Sequence, residues 1–134
     1  MITHDNYHTG GILDALSEYE QATGDTRHHA VYTRALAYYR EHLFLKDGAP
    51  KWMNDQTYPM DVHGAAQGIL TFAFASDWEF AMRIANWAIR HLYKGDGNFA
   101  YQKLRWYTKR FTLMRWCNAW MARALSVLLQ ENRS

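Results

Sequence analysis

Apolar positions along this chain recur at helical spacing far more often than at strand spacing. Ile12, Leu16 and Tyr19 stand at i, i+4 and i+7, predicting a first helix over about Thr9 to Thr23. Gly24 follows as the left-handed residue that commonly ends a helix. Asp25 or Thr26 is placed to cap a second helix, roughly Arg27 to Leu43, with Val31, Ala35, Tyr38 and either His42 or its neighbours inward. A third helix is expected from near Asp61 to about Ala75, and its small-residue run "HGAAQG" calls for a closely packed neighbour. "SDWE", Ser76 to Glu79, reads as a capping box opening a fourth helix with Ala81, Ile84, Ala88 and Leu92 inward. A fifth covers about Arg115 to Gln130. Between the last two, "NFAYQKLRWYTKRFTL" alternates polar and aromatic residues, so a short extended or hairpin segment is expected near 98–112. The fold class is all-α, built from antiparallel helical hairpins.

A repeat underlies this order. The first two helices are tightly joined, as are the next two, and both pairs are followed by long links. Each link opens with Asp-Gly and an extended aromatic segment, "KDGAPKW" and "GDGNFAY". His8, His63 and Asn118 stand 55 positions apart in turn. Such self-similarity predicts stacked hairpins, as a solenoid or a closed ring. Odd-numbered helices then begin at one end of the stack, and the links Lys46–Met60 and Gly95–Met114 reach that same end. Long links on a rigid scaffold commonly carry function. His, Asp, Arg and aromatic residues therefore converge on one rim.

Composition narrows the setting. The 134 residues make a single domain, 49% hydrophobic and 21% charged, the balance of a folded chain. Six Trp and nine Tyr exceed what a core of this size hides, so some rings must line a groove or interface. Net charge is only +2, which does not force polyanion binding, although Lys94–Arg115 carries six basic residues against one acidic. Cys117 stands alone, excluding an intrachain disulfide and fitting a reducing compartment. "MITHDNYHTG" has neither the basic flank nor the apolar run of a signal peptide, and no membrane span is evident. A soluble cytoplasmic protein is expected.

The candidate residues each have an ordinary structural alternative. Asp61 follows Pro59 at a helix start, where capping alone favours an acid. His63 and His8 also suit first-turn hydrogen bonds. Cys117, inside the fifth helix, suits packing. No HExxH or paired CxxC occurs, and no metal or cofactor is expected. Lys103, Arg105, Lys109 and Arg110 interleave with Trp106, Tyr107 and Phe111, a pattern suited to sugars and carboxylates or to single-stranded nucleic acid.

With "NYHTGGILDALSEYEQATGD", "DGAPKW", "YPMDVHGAAQ", "DGNFAYQK" and "YTKRFTLMRWCNAWM" in this order, the chain resembles the C-terminal portion of bacterial α/α-toroid proteins of the six-hairpin glycosidase-like type, associated with polysaccharide biosynthesis. The family's motifs fall on Tyr7, His8, Tyr58, Asp61, His63, Gln67, Arg115 and Trp116. Departures lie in "TKRFTL", where Lys109, Arg110, Thr112 and Leu113 replace an Asn, Lys, Pro-Tyr pattern. "NYHTGG" is also similar to the Tyr-His-Thr segment of uronyl C5-epimerase toroids. The resemblance implies that residues 1–134 are part of an (α/α)6 toroid.

The function expected is a carbohydrate-active protein with an acidic-sugar site, lyase- or epimerase-like rather than hydrolytic, since no second carboxylate matches Asp61. His63, Asp61, Tyr7 and His8 are the candidate catalytic residues. Arg115, Arg110, Lys109, Trp106, Trp116, Trp52, Tyr58 and Gln67 are the candidate binding residues. The partner expected is an oligo- or polysaccharide containing uronate, with neither membrane nor nucleic acid. The alternative is a non-catalytic sugar-binding or assembly module, forming homo-oligomers or joining the rest of a toroid through exposed apolar faces, with Trp120 a further ring for sugar or interface.

Overall fold

The computed structural model describes residues 3–131, so residues 1–2 and 132–134 of the single-domain reading lie outside the described residues. The helices are α1 (Asn6–Thr23), α2 (His29–Leu43), α3 (Val62–Phe74), α4 (Trp78–Leu92) and α5 (Trp120–Glu131). A π-helical segment, Met114–Ala119, leads into α5, where an ordinary α-helical start was expected. Strands β1 (Met60–Asp61), β2 (Gln102–Lys103) and β3 (Thr108–Lys109) form a three-stranded antiparallel sheet. The fold is thus mostly helical rather than purely so. β2 and β3 fill the predicted extended segment, while β1 immediately precedes the third helix, which begins beside Asp61 as expected.

Two caps differ from expectation. Gly24 does end α1, at φ 70° with its N–H bonded to the Glu20 carbonyl. Asp25, however, spends its carboxylate on the Arg27 guanidinium and backbone N–H, and α2 begins without a side-chain cap. Ser76 lies at φ 61°, and Asp77 caps α4 by accepting from the Phe80 N–H at 3.2 Å. Asp77 also pairs with Arg40 of α2, which anchors it at the junction, and Glu79 turns forward to Arg83.

α3 is the centre. Every residue from Val62 to Ala73 is buried, because α1, α4 and α5 pack around it and Tyr39 of α2 stacks on its Phe72. Surrounded on all sides, it carries apolar or small residues all round rather than one stripe. Its glycines answer the expected close packing: a Cβ on Gly68 would stand 2.4 Å from Phe44 Cζ. α4 buries Ala81, Ile84, Ala88 and Leu92 as the pattern predicted.

The inward faces of α1 and α2 are each displaced by one residue. On α1, Asn6, Gly10 and Leu13 are buried, whereas Ile12 is 63% and Tyr19 43% exposed. Closest approach decides this: a Cβ on Gly10 would lie 2.6 Å from Gln67 Cγ and 2.7 Å from the Tyr39 hydroxyl. On α2, Tyr39 is buried instead of Tyr38, Leu43 takes the inward place allowed to the neighbours of His42, and Val31 is exposed. Asn6 holds both, donating to the Leu43 carbonyl at 2.7 Å and accepting from the Tyr39 hydroxyl at 3.0 Å.

The repeat is visible bond by bond. After α2, Leu45 N–H donates to Ala49 O and Lys51 N–H to Leu43 O; after α4, Lys94 N–H donates to Asn98 O and Ala100 N–H to Leu92 O. Asp47 and Asp96 each accept from the backbone N–H two residues on, with Gly48 and Gly97 at positive φ. Asn6 N–H then reaches Trp52 O, and Val62 N–H reaches Tyr101 O. These contacts pair Trp52 with Tyr101, Asp5 with Asp61, and Tyr7, not His8, with His63.

Candidate functional site

The repeat brings its equivalent residues to one cavity of about 380 Å³. Asp5, Asn6, Tyr7 and His8 open α1; Asp61, His63 and Gly64 open α3; Lys51, Trp52 and Met53 come from the first link; and Tyr101 and Trp116 complete the wall. The predicted convergence at one rim therefore holds for these elements. Aromatic rings and aliphatic carbon dominate the surface, with a few polar groups between them.

Asp61 is held rather than free. As N-cap of α3 it accepts from the His63 backbone N–H at 2.7 Å, and its other oxygen accepts from Gln102 Nε2 at 2.7 Å. Lys109 Nζ donates to Gln102 Oε1 at 3.1 Å, extending the chain to the edge strand. Burial raises the Asp61 carboxyl above its ordinary range, and these hydrogen bonds oppose the rise. Its bonds go to the His63 backbone and to Gln102, so Asp61 does not orient the imidazole.

His63 is enclosed by rings. Tyr7 stacks on it with centroids 3.7 Å apart, and Trp116 and Trp120 meet it edge-on at 4.6 and 5.6 Å. Burial pushes its pKa down to about 4, with His8 adding to the effect, so the imidazole is neutral near pH 7. A neutral imidazole offers one donor and one acceptor nitrogen. His8 lies at the mouth, its Nδ1 2.9 Å from Asp5 Oδ2. Lys51 donates to the Asn54 carbonyl at 2.6 Å and supplies positive charge to the wall.

Of the twelve residues predicted for the site, His63, Asp61, Tyr7, His8, Trp116 and Trp52 line the cavity. Six do not. Gln67 is buried one turn deeper, donating to Asp14 at 2.7 Å and Thr71 at 3.1 Å. Lys109 acts through Gln102. Tyr58 and Arg110 lie outside the wall, Trp106 is 84% exposed, and Arg115 lies over the Trp116 ring at 5.1 Å. Cys117 is fully buried and accepts from the Leu113 N–H through its sulfur.

Sequence reasoning missed Asp5, Lys51 and Tyr101 on the wall, and Gln102 behind it. The Tyr101 signal was present, since "KDGAPKW" and "GDGNFAY" end on equivalent rings. Asp14 was also missed: burial raises its carboxyl to about 6 despite bonds from Thr71 and Gln67. Among the described residues, no three His, Cys, Asp or Glu side chains gather as a metal site, and no helix is long and apolar enough to cross a membrane. Compared with protein-family models, curated proteins and solved structures, the chain gives no match.

Proposed function

We propose that this cavity is the acidic-sugar site of a carbohydrate-active protein, one hairpin series of an (α/α)6-type toroid, acting by proton abstraction. The observation that carries the reading is His63: a neutral imidazole held among Tyr7, Trp116 and Trp120 on the wall of a ring-sized, aromatic-lined cavity. Aromatic walls suit the apolar faces of a sugar ring. Lys51 offers positive charge for a uronate carboxylate, and His8 stands at the cavity mouth. The side-by-side order of α1, α3 and α5 supports the toroid element of the reading.

In this mechanism a His63 ring nitrogen takes the proton beside the carboxylate, and the electron pair moves onto the carboxylate oxygens against Lys51. Elimination follows when that pair forms the C4–C5 double bond and the C4–O bond breaks, the leaving oxygen taking a proton from Tyr7 or water. Epimerisation follows when a proton returns to the opposite face instead. A bound carboxylate raises the pKa of His63, which makes the imidazole a better base in the complex than in the free protein.

The second reading, a sugar-binding module without turnover, is favoured by Asp61, whose two oxygens are both engaged in structural bonds. Its assembly form draws on Ile12 and Leu129, each 63% exposed on α1 and α5. Solvent deuterium exchange at C5 of an oligogalacturonate separates the two. Exchange by the native protein, lost in His63→Ala with binding retained, supports catalysis. Saturable binding without exchange assigns the module, and no uronate binding overturns the acidic-sugar site and leaves only the assembly form, which a solution mass at the monomer value would overturn.

A further inference from the structure

The second link is longer than its structural counterpart, and the excess forms a hairpin of distinct chemistry. In the first link, Trp52 N–H bonds to Thr57 O and Met53 N–H to Gln56 O, closing a tight turn. In the second, the chain runs on through β2 and β3, joined by Leu104–Tyr107, where Leu104 N–H bonds to Tyr107 O. Trp106 is 84%, Tyr107 59% and Phe111 54% exposed. Rings so exposed are not held out by any core requirement.

Charge is equally one-sided. From Gly97 to Gln130 the sequence contains six Lys and Arg residues and no Asp or Glu. Among the described residues, Arg27, Arg40 and Arg83 each pair with a carboxylate, while none of the cations from Lys103 to Arg115 does. Arg105 instead lies over the Trp106 ring at 5.0 Å, and Arg115 over Trp116 at 5.1 Å. A guanidinium laid on a ring is stiffened, and its N–H edge remains available to a carboxylate.

This surface is continuous with the cavity. β2 pairs with β1 beside Asp61, and Tyr101 and Trp116, which flank the hairpin in sequence, line the cavity wall. We infer that the segment from Gln102 to Arg115 is a docking strip for a polyanionic polysaccharide, a polyuronate chain whose one residue enters the cavity. The inference rests on the acidic-sugar reading of that cavity. It adds that the ligand is a polymer, recognised by carboxylates outside the reacting position. Polyuronate is favoured over single-stranded nucleic acid because Arg105 already covers one face of the most exposed indole, which limits base stacking.

The test compares the native chain with Arg105→Glu/Arg110→Glu, both exposed side chains whose exchange leaves the core intact, as circular dichroism would verify. Probes are galacturonate, an oligogalacturonate long enough to span strip and cavity, and a single-stranded DNA of equal charge, each titrated at two salt concentrations. The expected result is a loss of about tenfold or more in oligogalacturonate affinity with a flatter salt dependence. Galacturonate binding should be unchanged. Equal oligogalacturonate affinity in both proteins overturns the strip and leaves the cavity reading standing. Oligomer binding lost in the variant, with no galacturonate binding in either, supports the strip while removing the cavity reading. Tighter binding of DNA than of oligogalacturonate, or no binding of either polymer, overturns the inference.

Discussion

The imidazole of His63 lies on the phenol ring of Tyr7, centroids 3.7 Å and planes 29° apart, and the two residues are equivalents in the internal repeat. The stacked ring excludes water from one face of the imidazole, and that burial is the main cause of its low pKa. Tyr7→Ala should therefore move the His63 pKa from about 4 up toward its ordinary value of 6.5. Titration of the His63 ring protons by NMR reads this directly. An unchanged midpoint would show that Trp116 and Trp120 alone keep the ring dry.

A second prediction concerns acid. His63 titrates lower in the folded state than the ordinary 6.5, so the unfolded state binds the proton more tightly. Its contribution is complete above pH 6.5 and is lost as pH falls toward 4. Asp14 has the opposite sign: raised from 3.8 to about 6, its carboxyl favours folding below 3.8 and loses that contribution as pH rises through 6. Asp14→Asn can still accept from Gln67 and removes the cost of a buried charge. The variant should exceed the native protein by about 1–2 kcal/mol at pH 8, and the advantage should vanish near pH 3.5. Urea midpoints at both pH values check it; equal midpoints at pH 8 would mean that water solvates Asp14.

Helix existence and order were legible because each amphipathic or capped segment carries its own local signal. Register was not. Ile12 looked like a core position by spacing, but Gly10 faces α3, where only a residue without a Cβ fits against Gln67 and Tyr39. Spacing shows that a helix has an inward face; the partner's shape selects which face it is. β1 was illegible for a similar reason, since two residues pair only because β2 arrives from 41 positions away.

The site divides along the same line. Residues at helix starts, Tyr7, His8, Asp61 and His63, could be found because the alternation of hairpins assigns helix starts to one end. Arg115 failed because its guanidinium lies over the Trp116 ring, and Trp116 rather than the cation reaches the wall. Lys51 filled that part from the first link, where nothing in its neighbours marks it. Lys109 lies near the site yet reaches it only through Gln102. Its connection depends on strand register, which the sequence pattern of the hairpin leaves open.

Asn6 ties α1 to two residues of α2 and predicts a non-additive pair. Its amide donates to the Leu43 carbonyl at 2.7 Å and accepts from the Tyr39 hydroxyl at 3.0 Å, with both partners buried. Asn6→Ala strands a carbonyl and a hydroxyl away from water, so it should cost about 2–4 kcal/mol. Tyr39→Phe removes only the hydroxyl and leaves the amide its bond to Leu43, so about 1–2 kcal/mol is expected. In the double variant the orphaned hydroxyl is gone, and the total loss should fall short of the sum by about 1 kcal/mol. Chemical denaturation of the four proteins measures the coupling. Additive losses would mean that the Tyr39 hydroxyl finds another partner once Asn6 is gone, and that Asn6 acts on α1 and α2 through Leu43 alone.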